Sequence, residues 1–284
     1  VHNGFGEVIL QSSPDTGDTV FEYDAAGNRT RRTDARGVVT EWTYDALGRV
    51  ATMTFPASPA EDVTYAYDDP TAGHFGIGRL ASVTDDSGST SYRYDARGNT
   101  VRVDSVIGAQ GYVTEYSYDA ADRLVQMVYP SGRIVDYVRD SIGRVTSVTT
   151  RADELAPPVT LASGVTYEPF GPLDGLDYGN GVTLALGYDL DGRITDIGAF
   201  AGASAVVDLG YAYDLAGNIT GQTDLAGPRT WDYAYDPLHR LDFADHILLG
   251  GVTDQVTYAY DAVGNRTGRA VTQNRLTITD TLSY

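Results

Sequence analysis

The stretch YDAAGNRT, Tyr23–Thr30, returns near the other end of the chain as YDAVGNRT, Tyr260–Thr267. Between them lie YDALGRV (Tyr44–Val50), YDARGNT (Tyr94–Thr100), YDLDGRI (Tyr188–Ile194) and YDLAGNI (Tyr213–Ile219). The Tyr-Asp pair alone also stands at Tyr67–Asp68, Tyr118–Asp119 and Tyr235–Asp236. Two weakened copies fill the long gap: VRDSIGRV, with Arg139 in the Tyr place, and TYEPFGPL, with Glu168 in the Asp place. These eleven positions are separated by 21 to 28 residues, a period near 24 that covers essentially the whole chain. Self-similarity at such a period marks a repeat array, in which each unit is one small supersecondary element.

Each unit can be taken apart. Val63, Tyr65 and Tyr67 alternate with Thr64 and Ala66, the two-residue period of a strand. D-x-x-G follows, pairing Asp24 with Gly27, Asp45 with Gly48, Asp95 with Gly98, Asp189 with Gly192, Asp214 with Gly217 and Asp261 with Gly264. An Asp opening a turn accepts a hydrogen bond from the backbone two residues on, and a Gly closing it accepts positive φ. A return strand such as RVATMTF comes next, so each unit reads as a hairpin. Weaker turns recur about ten residues later, as DARG (Asp34–Gly37), DDSG (Asp85–Gly88), YPSG (Tyr129–Gly132), YGNG (Tyr178–Gly181) and DLAG (Asp224–Gly227). The expectation is an all-β antiparallel meander of roughly twenty strands and about eleven YD hairpins, with no helix. Asp122 and His239 replace the Gly in YDAADRL and YDPLHRL, which predicts a different turn geometry there.

Composition agrees. Tyr numbers 21 against 7 Phe and 2 Trp, Gly numbers 32, and 32 of the 39 acids are Asp. These are strand and turn formers. All 20 basic residues are Arg, and the net charge of −19 argues against a nucleic-acid partner, whose phosphates call for a basic surface. With no Cys there is no disulfide, thiol catalysis or Cys-ligated metal. No apolar run is long enough to span a membrane, and VHNGFGEVIL lacks the charged start and apolar stretch of a signal peptide. The chain does not begin with Met, which suggests a processed product or an excised fragment.

TRADELAPPVTLASG (Thr150–Gly164) carries Pro157 and Pro158 and breaks the repeat. The division expected is therefore a first YD block over 1–150, a linker or bent edge over 151–164, and a second block over 165–284. DDPTAGHFGIG (Asp68–Gly78) reads as a turn with an insertion, and DFADHILLGG (Asp242–Gly251) as a longer connection.

YDAAGNRTRRTDARGVVTEWTYDALGRV, Tyr23–Val50, resembles the YD-repeat or RHS-repeat proteins, whose signature is Y-D-x-x-G-R/N. The opening NGFGEVILQSSPDTGDTVFEYDAAGN, the stretch YPSGRIVDYVRDSIGRV and YEPFGPLDGLDYGNGVTLALGYDLDGRI also look like bacterial RHS sequences. The resemblance implies a spiral of β-hairpins winding into a solenoid or partial hollow shell. In the family such shells enclose a cargo, typically a toxin encoded at the C-terminus of the same chain. Related arrays belong to insecticidal toxin complexes and to animal cell-surface adhesion proteins. The family's C-terminal motif P-x-x-x-x-D-P-x-G-L is absent, and no toxin domain is visible, so a segment of shell wall is expected.

Several features invite a chemical reading. The turn aspartates, from Asp24, Asp45, Asp68, Asp95 and Asp119 to Asp189, Asp214, Asp236 and Asp261, form a ladder that could bind metal or could simply cap turns. No D-x-D-x-D-G loop or calcium-binding nonapeptide accompanies them. DTG at Asp15–Gly17 matches the aspartic-protease triplet, but such enzymes need two copies. His2, His74, His239 and His246 lack zinc-ligand spacing. Schiff-base chemistry has no Lys to use. NRT at Asn28–Thr30, NIT at Asn218–Thr220 and NRT at Asn265–Thr267 match glycosylation sequons that double as turn sequence. The tyrosines could pack the wall as side-by-side rings at the strand spacing, or present a surface for glycans. Arg49, Arg79, Arg123, Arg144, Arg193 and Arg240 follow turns and are expected to pair with nearby Asp.

The reading that results is a structural, non-enzymatic scaffold without cofactor or metal, belonging to a secreted, extracellular or cell-surface protein. It would form part of a wall around a C-terminal toxin or cargo. Its partners would be further repeats of the same full-length chain, or other protomers pairing at exposed end strands. A surface adhesion or filament-forming module and a carbohydrate-binding solenoid remain as alternatives.

Overall fold

The structure, a computed structural model, describes residues 1–169, 171–227, 229–247, 253–273 and 276–282. The connection expected up to Gly251 therefore lies outside the described residues from position 248 onward, and Phe170 of TYEPFGPL is outside them too. The chain is all-β: 24 strands, one short 3-10 turn at Pro59–Glu61, and no α-helix among the described residues.

The strands group into two compact units. One comprises Val1–Asp136 with Arg151–Ala156, and the other Tyr137–Thr150 with Pro157–Tyr284. In the first, Leu10–Ser13 pairs antiparallel with Gly17–Tyr23, that strand with Arg29–Thr33, and Arg29–Thr33 with Val39–Tyr44. Chain order is kept through Gln110–Tyr118 and Leu124–Val128. The second follows the same rule, for example Val182–Tyr188 with Ile194–Ala201 and Ser204–Tyr213 with Ile219–Asp224. Every described pairing joins strands adjacent in sequence, so the register is decided turn by turn.

The two faces of the meander differ. In Val63–Asp69 the residues Val63, Tyr65 and Tyr67 are half-buried while Thr64 and Ala66 are exposed. Val182, Leu184 and Leu186 alternate with exposed Thr183 and Ala185 in the same way. In these two strands one face is aromatic and aliphatic, and the other carries Thr and Ala. Even the apolar face is not a closed core. Only Ile134 and Val135 are buried hydrophobics among the described residues, and no large side chain is fully buried. With so little burial, neighbour-to-neighbour ties must carry the stability, as in other repeat arrays.

Residues 151–164 are not a linker throughout. Val159–Tyr167 is a strand, with Thr160 opposite Thr149 on one side and Ala162 opposite Tyr178 on the other. Pro157 and Pro158 immediately precede it, where a missing N–H interrupts no ladder.

Candidate functional site

The repeated phrase is the corner of a hairpin, and one corner describes the rest. The Asp24 amide donates to the Asn28 carbonyl at 2.9 Å, and the Gly27 amide to the Asp24 carbonyl at 3.1 Å. Gly27 sits at φ +84°, and the ladder shifts by one residue between Glu22 and Tyr23. This is a type I turn closed by a bulge. Asp24 Oδ1 accepts the amides of Ala26 and Asn28, each at 2.9 Å, and Oδ2 accepts Asn28 Nδ2 at 3.0 Å. The same closure, at 2.9 or 3.0 Å, recurs at Asp45, Asp95, Asp119, Asp189, Asp214, Asp236 and Asp261.

These bonds hold the carboxyls below their ordinary range. At Asp24, Asp95 and Asp214 the leading cause is the amide side chain of Asn28, Asn99 or Asn218. At Asp45, Asp119, Asp189 and Asp236 it is the backbone N–H of the Arg that closes the turn. Each carboxylate is therefore consumed by its own corner.

Three expectations about the corners are corrected. Asp122 and His239 adopt the glycine geometry rather than another one, each at φ +60°, with their amides donating to Asp119 and Asp236 at 3.2 and 2.9 Å. Asp and His tolerate the left-handed region better than most residues. Here each is also held by the preceding corner, Asp122 by Asn99 at 2.6 Å and His239 by Asn218 at 3.0 Å. Asp68 does not cap a turn of its own. It lies at φ +64°, accepts the guanidinium of Arg49 at 2.5 and 3.2 Å, and accepts the Gly78 amide across the insertion. Finally, the corner tyrosines do not stack on one another, and the one stacked pair among the described residues is Trp231 on His246. Corners on successive hairpins are two strands apart, about 9.6 Å, which is twice the distance that ring stacking would need.

What the tyrosines do instead was not anticipated. The hydroxyls of Tyr23, Tyr44, Tyr67, Tyr94 and Tyr118 donate to the carbonyls of Val8, Arg29, Val50, Leu80 and Thr100, at 2.7 to 2.9 Å. Those of Tyr167, Tyr188, Tyr213, Tyr235 and Tyr260 reach Val145, Leu173, Ile194, Ile219 and Leu241 at 2.7 to 3.0 Å. Where the preceding corner is regular, the acceptor lies five residues after its Asp. Each tyrosine thus hooks its corner to the one before. The sequence did hold a signal: Phe would supply equal packing, so the repeated choice of Tyr implied a use for the hydroxyl.

The arginines complete the tie. Nε of Arg49, Arg123, Arg193 and Arg240 donates to Oδ2 of Asp45, Asp119, Asp189 and Asp236, each at 2.7 Å. Beyond that pairing, the guanidinium covers the next corner's ring, Arg49 over Tyr67 at 4.3 Å, Arg144 over Tyr167 at 4.8 Å and Arg240 over Tyr260 at 4.5 Å. Arg79 lies 5.6 Å over Tyr94 and donates to the Phe75 carbonyl.

The other candidates fall in separate places. Asp15 and Thr16 donate their amides to Ser13 Oγ in a tight turn, with Gly17 at φ +72°. His74 Nδ1 lies 2.6 Å from Asp69, whose carboxyl is lowered to about 2 by Thr71 and then by His74. The amides of Asn28, Asn218 and Asn265 are bonded to their turn aspartates. Among the described residues no three His, Cys, Asp or Glu side chains gather as metal ligands, and no helix is long and apolar enough to cross a membrane.

A family model described as RHS Repeat matches residues 2–39, 23–60, 76–105 and 102–134. A double-stranded DNA deaminase toxin A of Burkholderia cenocepacia is 29% identical over 258 residues, covering 87% of this chain and 17% of that protein. Among solved structures, a crystal structure of TcdB2-TccC3-Cdc42 superposes with a TM-score of 0.88 at 19% identity, over 98% of this chain and 16% of that one. A Tc holotoxin pore from Photorhabdus luminescens gives 0.85 at 19%, with the same coverages. The chain spans less than a fifth of the length of each of these relatives, and the likeness to the solved structures is one of fold.

Proposed function

We propose that this chain, which matches an RHS Repeat model over residues 2–60 and 76–134, serves as a non-enzymatic scaffold, one stretch of a wall that encloses a toxin or other cargo of a longer secreted or cell-surface protein. The observation that carries this reading is that the motif side chains are spent on architecture. In each regular corner the Asp closes the turn, the Tyr hydroxyl fastens the preceding hairpin, and the Arg or Asn braces the Asp. Nothing in the motif is left over for a reacting group. At the corners the same fact speaks against a glycan platform, because those tyrosine hydroxyls already serve backbone carbonyls. Likeness to a toxin over the repeats supports the cargo role.

The test uses the full-length product of the gene. Limited proteolysis should leave any non-repeat C-terminal segment protected while the array is intact. Replacing several hook tyrosines by Phe together should expose that segment. Digestion of the segment in the intact protein as fast as in isolation would refute enclosure. A buffer-exposed catalytic activity retained by the repeats alone would refute the scaffold reading itself.

A further inference from the structure

The most basic stretch of the chain is RTRRTDAR, Arg29–Arg36, which places four of the 20 arginines within eight residues of a protein of net charge −19. Three of them, Arg29, Arg32 and Arg36, line one groove of about 790 Å³ in the first unit, with Phe21 beside them. At the corners Arg49, Arg123, Arg144, Arg193 and Arg240 are each matched to the carboxylate of their own turn. Here Arg29 and Arg32 have no carboxylate partner among the described residues, although the chain holds 39 acids against 20 arginines.

The groove also orients its cations. Arg29 lies 4.6 Å over the Phe21 ring. Arg36 gives Nε and Nη2 to Asp34 Oδ2 at 3.1 and 2.8 Å, which fixes the guanidinium while other N–H groups stay free. A planar guanidinium fork matches the oxygens of a carboxylate or phosphate, and several converging forks select such groups over neutral ligands. Two carboxylates, Asp15 and Asp34, also line the groove and oppose an anion. Three cations against two acids leave a local positive excess on an acidic molecule.

We propose that this groove is a binding site for an oxyanion ligand, phosphate or carboxylate, held by Arg29, Arg32 and Arg36. The side chains of Arg29 and Arg32 make no hydrogen bond that the fold depends on, so their replacement leaves the hairpins intact.

The experiment titrates the whole chain at low ionic strength with inorganic phosphate and, separately, with citrate, following arginine Nε–H resonances. Saturable shifts at Arg29, Arg32 and Arg36 are expected. The double variant R29Q/R32Q should weaken binding by about tenfold or more, and D15N should tighten it about threefold. Thermal melts of both variants check the fold. Response to phosphate alone assigns a phosphate-bearing ligand, response to citrate alone a carboxylate one, and response to both a general oxyanion site. No saturable response to either probe, or binding indifferent to R29Q/R32Q, overturns the proposal.

Discussion

Tyr213 gives its hydroxyl proton to the carbonyl of Ile194 at 2.7 Å, across 19 residues of chain. Arg193, the residue before that carbonyl, lays its guanidinium 4.8 Å from the centre of the same ring and donates Nη1 to the Asp214 carbonyl at 3.1 Å. One corner is thereby fastened to the next at three points. Each contact contributes about 1 kcal/mol or less at a half-exposed site. With no closed core behind them, their sum along the array holds neighbouring hairpins together.

Tyr213→Phe should therefore cost about 1 kcal/mol, the net worth of one hydrogen bond whose acceptor is left half-buried. Tyr211 lies on the same face two residues earlier, and its hydroxyl makes no hydrogen bond among the described residues. Tyr211→Phe should stay within about 0.5 kcal/mol of the parent. Denaturant midpoints of the two variants check the pair, and equal losses would remove the special role of the hook.

The Arg193–Tyr213 contact should appear as a coupling. A double-mutant cycle with Arg193→Gln and Tyr213→Leu should give a coupling of about 0.5–1 kcal/mol. Arg193→Lys should recover only part of it, because an ammonium cannot reach both Asp189 and the Asp214 carbonyl while lying flat on the ring. Additivity within error would show that the ring contact is incidental.

Glycines should divide by physical cause. Gly192 lies at φ +77° with open space where a Cβ would go, so Gly192→Ala should cost about 1 kcal/mol for the backbone alone. A Cβ on Gly179 would run into the Thr160 carbonyl of the adjacent strand. Gly179→Ala should cost about 2 kcal/mol or more, since backbone has to move. Thermal melts of the two variants test the order.

The fold should be bounded in pH on both sides. The corner aspartates have lowered pKa values, led at Asp24 by the Asn28 amide and at Asp189 by the Arg193 backbone N–H. Their folded pKa lies below the unfolded one, so the stability they add is present above about pH 4 and is lost as pH falls through the lower folded values. Tyr44, Tyr94, Tyr118, Tyr213 and Tyr235 have pKa values raised, mainly by burial. A raised folded pKa adds stability that is present below about pH 10 and is lost as pH climbs through it. Melting temperature against pH should show a plateau with both shoulders. Tyrosinate absorbance should rise late and together with unfolding, and a simple titration near pH 10 in a still-folded protein would contradict the alkaline limit.

The hairpin corners were legible because everything that makes them lies within five residues. Asp24, Gly27 and Asn28 interact through backbone and side-chain groups that no distant segment can redirect. Strand alternation was equally local, and it correctly separated Tyr65 and Tyr67 from Thr64 and Ala66. The special corners were less legible. Asp122 and His239 keep the glycine geometry with help from Asn99 and Asn218, which stand 23 and 21 residues earlier.

By itself the sequence determined an all-β meander, the places where it turns, and which side chains share a face, since turn chemistry and a two-residue period need only near neighbours. The tertiary structure alone decided that a tyrosine hydroxyl meets the carbonyl of the previous hairpin, and that Arg193 covers Tyr213 rather than another ring. It alone gathered Arg29, Arg32 and Arg36 around one groove. These contacts depend on the register of three successive strands and on the bulge at each corner. That geometry accumulates across the sheet and is written in no single repeat.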